Sequence, residues 1–167
     1  MAIVALICLL AACAFRYTIP QYIDELAADG ETINRLGIFE GGNITAVYII
    51  HSKGGKARSI AQEAEVEGFK NTIRVLTLID VKDGLIDNIE VLAHNETEDY
   101  GGHVTEEWFL DRFMGKDAGM KLRLVKMAAQ SREDIVAITG ATYTSQAVVN
   151  AVNSCMENYR KIIEEVD

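Results

Sequence analysis

Side chains with hydroxyl groups are concentrated near the end of the chain, at positions 138–145, which read Ile-Thr-Gly-Ala-Thr-Tyr-Thr-Ser. The segment lies between an apolar stretch and a long terminal helix. Unpaired backbone N–H groups and the positive end of the helix dipole meet at a helix amino terminus, so a phosphate group is favoured there. Gly140 and Ala141 leave room for close approach. The alternative is that Thr144 or Ser145 is simply the N-cap residue of the helix.

The same segment resembles a known sequence motif. Thr139-Gly140-Ala141-Thr142, followed by Thr144-Ser145, is similar to the FMN-binding domain found in the G subunit of the Rnf complex and in the C subunit of the sodium-pumping NADH:quinone oxidoreductase. In that family the last Thr of the Ser/Thr-Gly-Ala-Thr motif is joined to FMN by a phosphoester bond, which a flavin transferase makes from FAD. The resemblance therefore implies a covalent FMN on Thr142, with a binding site formed by its motif neighbours: Thr139, Gly140, Ala141, Thr144 and Ser145.

A second stretch, at positions 94–101, is similar to the Glu-Thr-Pro-Gly-Leu-Gly loop that lies against the flavin in the family. Glu96, Thr97 and Gly101 match the loop, and Tyr100 stands where the Leu beside the ring would be. Contact between an aromatic side chain and the flavin ring is chemically reasonable. The resemblance implies that these four residues belong to the FMN site.

The chain also departs from the family pattern. Val136 occupies the position, six residues before the modified Thr, where the family usually has Asp; the nearest acid is Asp134. Glu98 and Asp99 replace the Pro and Gly of the loop. The acids from Glu96 to Asp99 predict a lowered flavin potential, because negative charge disfavours further negative charge on a reduced flavin.

Strand and helix signals predict the domain that must position these residues. Strands are expected at 44–50, 72–81 and 86–92, the last two joined by the turn Lys82-Asp83-Gly84. A short helix at 105–114 ends at Gly115, another strand is expected at 121–127, and an apolar stripe indicates a helix from Thr144 onward. The pattern lacks regular βαβ alternation and so predicts an α+β FMN-binding domain over 36–167, with a mainly antiparallel sheet and flanking helices.

The amino terminus is apolar, with no charged residue from position 2 to position 15. At ~1.5 Å per residue these positions reach only about 21 Å of a hydrocarbon core of about 30 Å. The preferred prediction is a truncated membrane anchor at 1–17, followed by a stalk or linker helix at 18–35. Two alternatives remain open: a lipoprotein signal ending at Leu10-Ala11-Ala12-Cys13, and a buried core helix.

Composition excludes several classes of function. The net charge of −9 argues against nucleic-acid binding, because phosphate backbones would be repelled. The three cysteines and three histidines lack the spacing of a metal site. A Gly-x-Ser-x-Gly nucleophile motif is absent from the sequence, so hydrolase chemistry has little support.

Together these inferences predict an electron-relay flavoprotein, with no catalytic residues of its own, tethered to a prokaryotic cell membrane by its amino-terminal helix. The resemblance further implies partner subunits in an ion-translocating ferredoxin:NAD oxidoreductase complex, a flavin transferase for maturation, and an FMN domain on the extracytoplasmic side. The alternative is a noncatalytic membrane or lipoprotein interaction module without a cofactor.

Overall fold

The computed structural model describes residues 19–36 and 42–166, and every structural statement below refers to that part of the chain. The predicted anchor at 1–17 lies outside the described residues. Within them, no helix is both long enough and apolar enough to cross a lipid bilayer.

A five-stranded antiparallel sheet forms the centre of the fold, and its strands lie side by side in chain order. At its middle, Ala61 lies opposite Tyr48 on one side and Leu78 on the other. The predicted strands at 44–50, 72–81 and 86–92, and the hairpin between the last two, are confirmed. The first and third strands of the sheet were not predicted. The five strands are β1 Thr32–Leu36, β2 Ile44–His51, β3 Ala57–Glu67, β4 Thr72–Asp80 and β5 Ile86–Ala93.

Shorter elements connect the sheet to the terminal helix. A parallel pair of strands lies outside the main sheet, so the strand predicted at 121–127 is confirmed with narrower bounds. The helix predicted at 105–114 is one helical turn followed by tight turns that end at Gly115, whose φ is +67°. The remaining elements are α1 Gln21–Asp24, a 3-10 helix Gly101–Thr105, α2 Glu107–Leu110, β6 Arg123–Val125, β7 Asp134–Val136 and α3 Thr142–Val166.

Helix α3 packs its apolar stripe across one face of the sheet, against β3 and β4. Val148, Val152 and Cys155 in this stripe are completely buried. Burying each of the two valines contributes about 1.5–3 kcal/mol, so this packing holds the helix firmly against the sheet. Burial also raises the pKa of the Cys155 thiol to about 12, which keeps it protonated as a small apolar group.

Residues 19–36, which include most of the predicted stalk or linker helix at 18–35, cover the other face of the sheet. The predicted helix is a single turn at Gln21–Asp24, and Thr32–Leu36 forms the edge strand β1 instead. The physical reason is burial. Ile23 is fully covered within a second apolar cluster on this face, and β1 pairs with the otherwise open edge of β2.

The architecture confirms the predicted α+β class with a mainly antiparallel sheet. Its layers are the amino-terminal segment, the five-stranded sheet and helix α3. The loop 94–101, the β3–β4 turn and the first turn of α3 approach one another, and the candidate site is formed there.

Candidate functional site

Thr142 is the first residue of helix α3, and its side chain is exposed. Gly140, with φ of +81°, makes the turn that leads into the helix. The first helical hydrogen bond runs from the Ser145 N–H to the Ala141 carbonyl at 2.9 Å. The N–H groups of the three residues from 142 to 144 therefore have no acceptor one turn back, and they face the end of the helix where Thr142 lies.

The two hydroxyl groups that follow point into the protein. The Ser145 hydroxyl accepts a hydrogen bond of 3.0 Å from the Ile138 N–H, and the Thr144 hydroxyl donates to the Glu96 carboxylate at 2.5 Å. Both residues lie inside the first turn of α3, so the alternative that one of them is the N-cap residue is wrong. Their hydroxyl groups fix the helix start instead.

Glu96 is the polar centre of the wall behind this helix start, and only 7% of it is exposed. Besides Thr144, its carboxylate accepts hydrogen bonds from three backbone N–H groups of the β3–β4 turn: Phe69 at 3.2 Å, Lys70 at 2.9 Å and Asn71 at 3.4 Å. Burial by itself would raise the pKa of Glu96, but these hydrogen bonds lower it below its ordinary value. The carboxylate is therefore ionised at neutral pH.

A cleft of about 230 Å³ opens in front of this wall. Its rim has three exposed aromatic side chains: Phe69 at 65%, Tyr100 at 55% and Tyr143 at 77%. The rings of Phe69 and Tyr143 are 6.3 Å apart. The cleft thus combines apolar ring surfaces with the hydroxyl group at a helix amino terminus. Its lining residues are Phe69, Thr97, Tyr100, Gly101, Gly140, Ala141, Thr142, Tyr143 and Thr144.

Two glycines are required by the shape of this cleft. A Cβ on Gly140 would lie 2.6 Å from the ring of Tyr100, and a Cβ on Gly101 would lie 2.7 Å from the Cβ of Glu96. Neither distance is possible without movement of the neighbouring loop. The glycines therefore permit the close approach of loop 94–101 to the start of α3.

Thr142 also borders a smaller depression of about 190 Å³ on its other side. Thr139 lies there together with Lys126, which brings a positive charge to this side of the helix terminus. Thr142 borders both the cleft and this depression, whereas Thr139 and Lys126 border the depression but not the cleft.

Most of the residues predicted from the two motifs come together. Thr142, Gly140, Ala141, Thr144, Thr97, Tyr100 and Gly101 line the cleft. Thr139 lies in the neighbouring depression, while Glu96 and Ser145 stand behind the wall.

Two cleft residues were missing from the sequence prediction. Phe69 comes from a distant turn, although the Gly-Phe pair before β4 was a visible signal. Tyr143 lies within the motif itself, and only the structure shows that its ring faces the cleft.

Glu98 and Asp99 face a different part of the surface. Both are exposed and line a depression of about 580 Å³ with His94, His103 and Glu106, to which Glu96 also contributes. Within the described ranges, no group of three or more His, Cys, Asp or Glu side chains is arranged to hold a metal ion.

Comparison with known proteins adds a family and a fold. The sequence profile of the FMN-binding domain matches residues 68–157, a range that includes the β3–β4 turn, loop 94–101 and the start of α3. The G subunit of the Na⁺-translocating ferredoxin:NAD⁺ oxidoreductase complex of Acetobacterium woodii is 33% identical over 138 residues, which are 81% of this chain and 66% of that protein.

The G subunit of the proton-translocating ferredoxin:NAD⁺ oxidoreductase complex of Clostridium ljungdahlii is 32% identical over 63% of this chain and 55% of its own length. The chain thus spans two thirds or less of the length of these two curated relatives. Among solved structures, Shewanella oneidensis NqrC aligns with a TM-score of 0.58 at 16% identity, over 86% of both chains. That similarity supports the fold alone.

Proposed function

Because the chain belongs to the FMN-binding domain family, we propose that it is a flavoprotein electron-transfer subunit whose FMN is esterified through phosphate to Thr142. The observation on which this proposal depends is the position of the Thr142 hydroxyl. It is exposed at the amino terminus of α3, at the mouth of a cleft with aromatic side chains.

The residues of the cleft fit a flavin nucleotide. Three N–H groups at the start of α3 and the helix dipole favour a phosphate beside Thr142. Gly101 and Gly140 allow loop 94–101 to approach the start of α3 closely enough to form the cleft. The rings of Phe69, Tyr100 and Tyr143 offer apolar surface of the kind that a planar heteroaromatic ring prefers.

Attachment requires one group transfer, and the family resemblance assigns it to a flavin transferase that uses FAD. The Thr142 Oγ1 would attack the phosphorus on the FMN side of FAD and lose its proton. The pyrophosphate bond breaks, AMP leaves, and FMN remains on the threonine. Thr142 can be reached by a transferase because it is exposed.

The bound flavin would supply one- and two-electron transfer chemistry. The protein's part is to hold and cover it. The start of α3 would fix the phosphate, Tyr100 and Phe69 would limit access of water to the ring, and the ionised Glu96 behind the wall would set the local potential.

The names of the relatives support a second part of the proposal, which concerns the complex to which the chain belongs. We place this chain in an ion-translocating ferredoxin:NAD oxidoreductase complex of a prokaryotic membrane, since the relatives from Acetobacterium and Clostridium are the G subunits of such complexes. Its partners would be the other subunits and the flavin transferase. The apolar residues before position 18 would tether it, with the FMN domain on the extracytoplasmic side.

The test is to produce the chain with and without its flavin transferase and to record flavin fluorescence in a denaturing gel. We expect a fluorescent band for the wild type and for Thr32→Ala, and none for Thr142→Ala. Thr32→Ala is the matched control, because it removes an exposed threonine hydroxyl on β1 that lines neither the cleft nor the depression beside Thr142. Equal fluorescence of Thr142→Ala would contradict the linkage. A colourless wild type would favour the interaction module without cofactor.

A further inference from the structure

The carboxylate of Glu96 joins three separate segments of the chain. It lies on loop 94–101, accepts three backbone N–H groups from the β3–β4 turn, and accepts the Thr144 hydroxyl from helix α3. These segments are far apart in sequence, and Thr144 follows Glu96 by 48 positions. If this carboxylate were removed, the three N–H groups of the turn and the Thr144 hydroxyl would each lose a hydrogen-bond acceptor.

Each segment held by Glu96 contributes a wall of the cleft. Phe69 stands on the turn, Thr144 on the helix, and Thr97 and Gly101 follow Glu96 on its own loop. Glu96 itself does not line the cleft. It therefore acts on any molecule in the cleft through its neighbours and through its charge.

The packing around Glu96 leaves little freedom for another arrangement. A Cβ on Gly68 would lie 2.6 Å from the Glu96 Oε1, and a Cβ on Gly101 would lie 2.7 Å from the Glu96 Cβ. Two glycines thus allow the turn and the loop to close around the carboxylate. A glycine therefore packs against the Glu96 side chain from the turn and another from the loop.

We propose that Glu96 is a positioning residue, which clamps the Phe69 turn to Thr144 and so sets both the width of the cleft and the electrostatic potential inside it. This inference rests on the proposed FMN function for its second part. The clamp itself does not depend on a cofactor.

The carboxylate of Glu96 and those of the nearby acids lie in different surroundings. Glu96 is buried, so water and salt screen it less than they screen the exposed Glu98 and Asp99. A fixed negative charge behind the cleft opposes added negative charge on a flavin. We therefore expect Glu96, rather than Glu98 or Asp99, to lower the flavin potential most.

The first part of the experiment measures the clamp without flavin, in the Thr142→Ala background. Amide hydrogen exchange is followed by NMR at the three N–H groups of the turn, with the amides of β4 as internal reference. Glu96→Ala should speed exchange at Phe69, Lys70 and Asn71 by about tenfold or more, because hydrogen bonds to a charged group are lost. Amides of β4 should be unchanged.

The second part uses flavin-loaded protein and measures the midpoint potential and the visible circular dichroism of the flavin. Glu96→Gln removes the charge and keeps the shape, so the potential should rise. Thr144→Val keeps the charge but breaks the clamp, so the dichroism should change, and Thr144→Ser should restore it. Glu98→Gln, the matched control on the same loop, should give a much smaller shift that disappears in high salt.

The outcomes separate this inference from the proposed function. Unchanged exchange at the three turn amides of Glu96→Ala would overturn the clamp. A second outcome is that the flavin-loaded wild type shows the same midpoint potential and dichroism as Glu96→Gln and Thr144→Val. That result would overturn the role of Glu96 toward the flavin, and only that role. A wild type without any flavin would overturn the proposed function, and the second part of this inference with it. If Glu96→Gln does not fold, the Thr144 pair decides the positioning role, because the dichroism of these two variants reports the clamp at constant charge.

Discussion

The Tyr22 hydroxyl donates a hydrogen bond of 2.8 Å to the buried carboxylate of Glu63, and so joins the amino-terminal segment to the middle of the sheet. Glu63 is 5% exposed and also accepts the Tyr48 hydroxyl at 3.4 Å, while the Arg74 Nε lies 4.0 Å away. Burial, and then the hydrogen bond to Glu63, raise the pKa of Tyr22, so this phenol remains a donor at neutral pH.

We expect Tyr22→Phe to lower the free energy of unfolding by about 1–2 kcal/mol, because the Glu63 carboxylate stays buried and loses a donor. Urea denaturation of the purified chain measures the change. Tyr159→Phe is the control: it removes a phenol that donates only to the neutral carbonyl of Asp80, at 3.3 Å. Its loss should be smaller, about 0.5–1 kcal/mol. Equal losses in the two variants would show that the charge of Glu63 adds nothing to the contact.

Asp134 should contribute a pH-dependent part of the stability. The Arg123 guanidinium, at 2.6 Å, and then the backbone N–H groups of Gln130 and Ser131 hold the pKa of this carboxyl well below its ordinary value. A lowered folded-state pKa stabilises the fold fully above the unfolded pKa of about 3.9, and the contribution is lost as the pH falls below about 4.

The test compares the urea midpoints of wild type and Asp134→Asn between pH 7 and pH 3. The wild type should be more stable at pH 7, and the difference should begin to narrow as the pH falls from about 4 to 3. Asp111→Asn removes an exposed carboxylate and should show almost no difference at any pH. A gap between wild type and Asp134→Asn that stays constant down to pH 3 would contradict the assignment.

Strand β3 shows why part of the fold could not be predicted from the sequence. Its residues include several of the best helix formers, Ala, Glu and Gln, and residues 59–64 are buried without alternation because both faces of the sheet are covered. Gln62 is stable inside because its side chain donates to the Cys155 carbonyl at 2.8 Å. Pairing with β2 and β4 overrides the local preference, and no local pattern signals it.

The candidate site was more predictable, because its chemistry lies in two short motifs. Thr142, Gly140 and Tyr100 are close together in the structure, as the resemblance implied. What could not be predicted is the role of Glu96, which the resemblance implied only as a member of the FMN site. Its hydrogen bonds to the turn at Phe69 depend on the way β3 and β4 return the chain, and only the fold defines that.

Gly140→Ala should disturb the site strongly, although the substitution adds only one methyl group. A Cβ at φ of +81° is strained, and it would also displace the Tyr100 ring, so we expect a loss of about 1–2 kcal/mol in stability. The amount of flavin bound per protein should fall as well. Gly54→Ala is the matched control: its Cβ would meet nothing within 4 Å. A Gly140→Ala variant with the stability and flavin content of the control would contradict the close packing of this turn.

Val136→Asp should increase the extent of flavin attachment. The family resemblance places an Asp at this position, six residues before the modified Thr, and the chain has Val there. The substitution is tolerable because Val136 is only half-buried and its carbonyl accepts a hydrogen bond from Arg112, whose guanidinium can balance a new carboxylate. Flavin fluorescence per protein, measured in a denaturing gel after limited coexpression with the transferase, should rise above wild type.

Val136→Asn separates charge from shape in that experiment, because it has nearly the same volume as Asp and no charge. If the transferase reads a carboxylate, Asn should leave attachment at the wild-type level and only Asp should raise it. If both raise it equally, polarity at this edge of β7 is sufficient and the charge is not required. If neither raises it, Val136 does not limit attachment and this prediction is wrong.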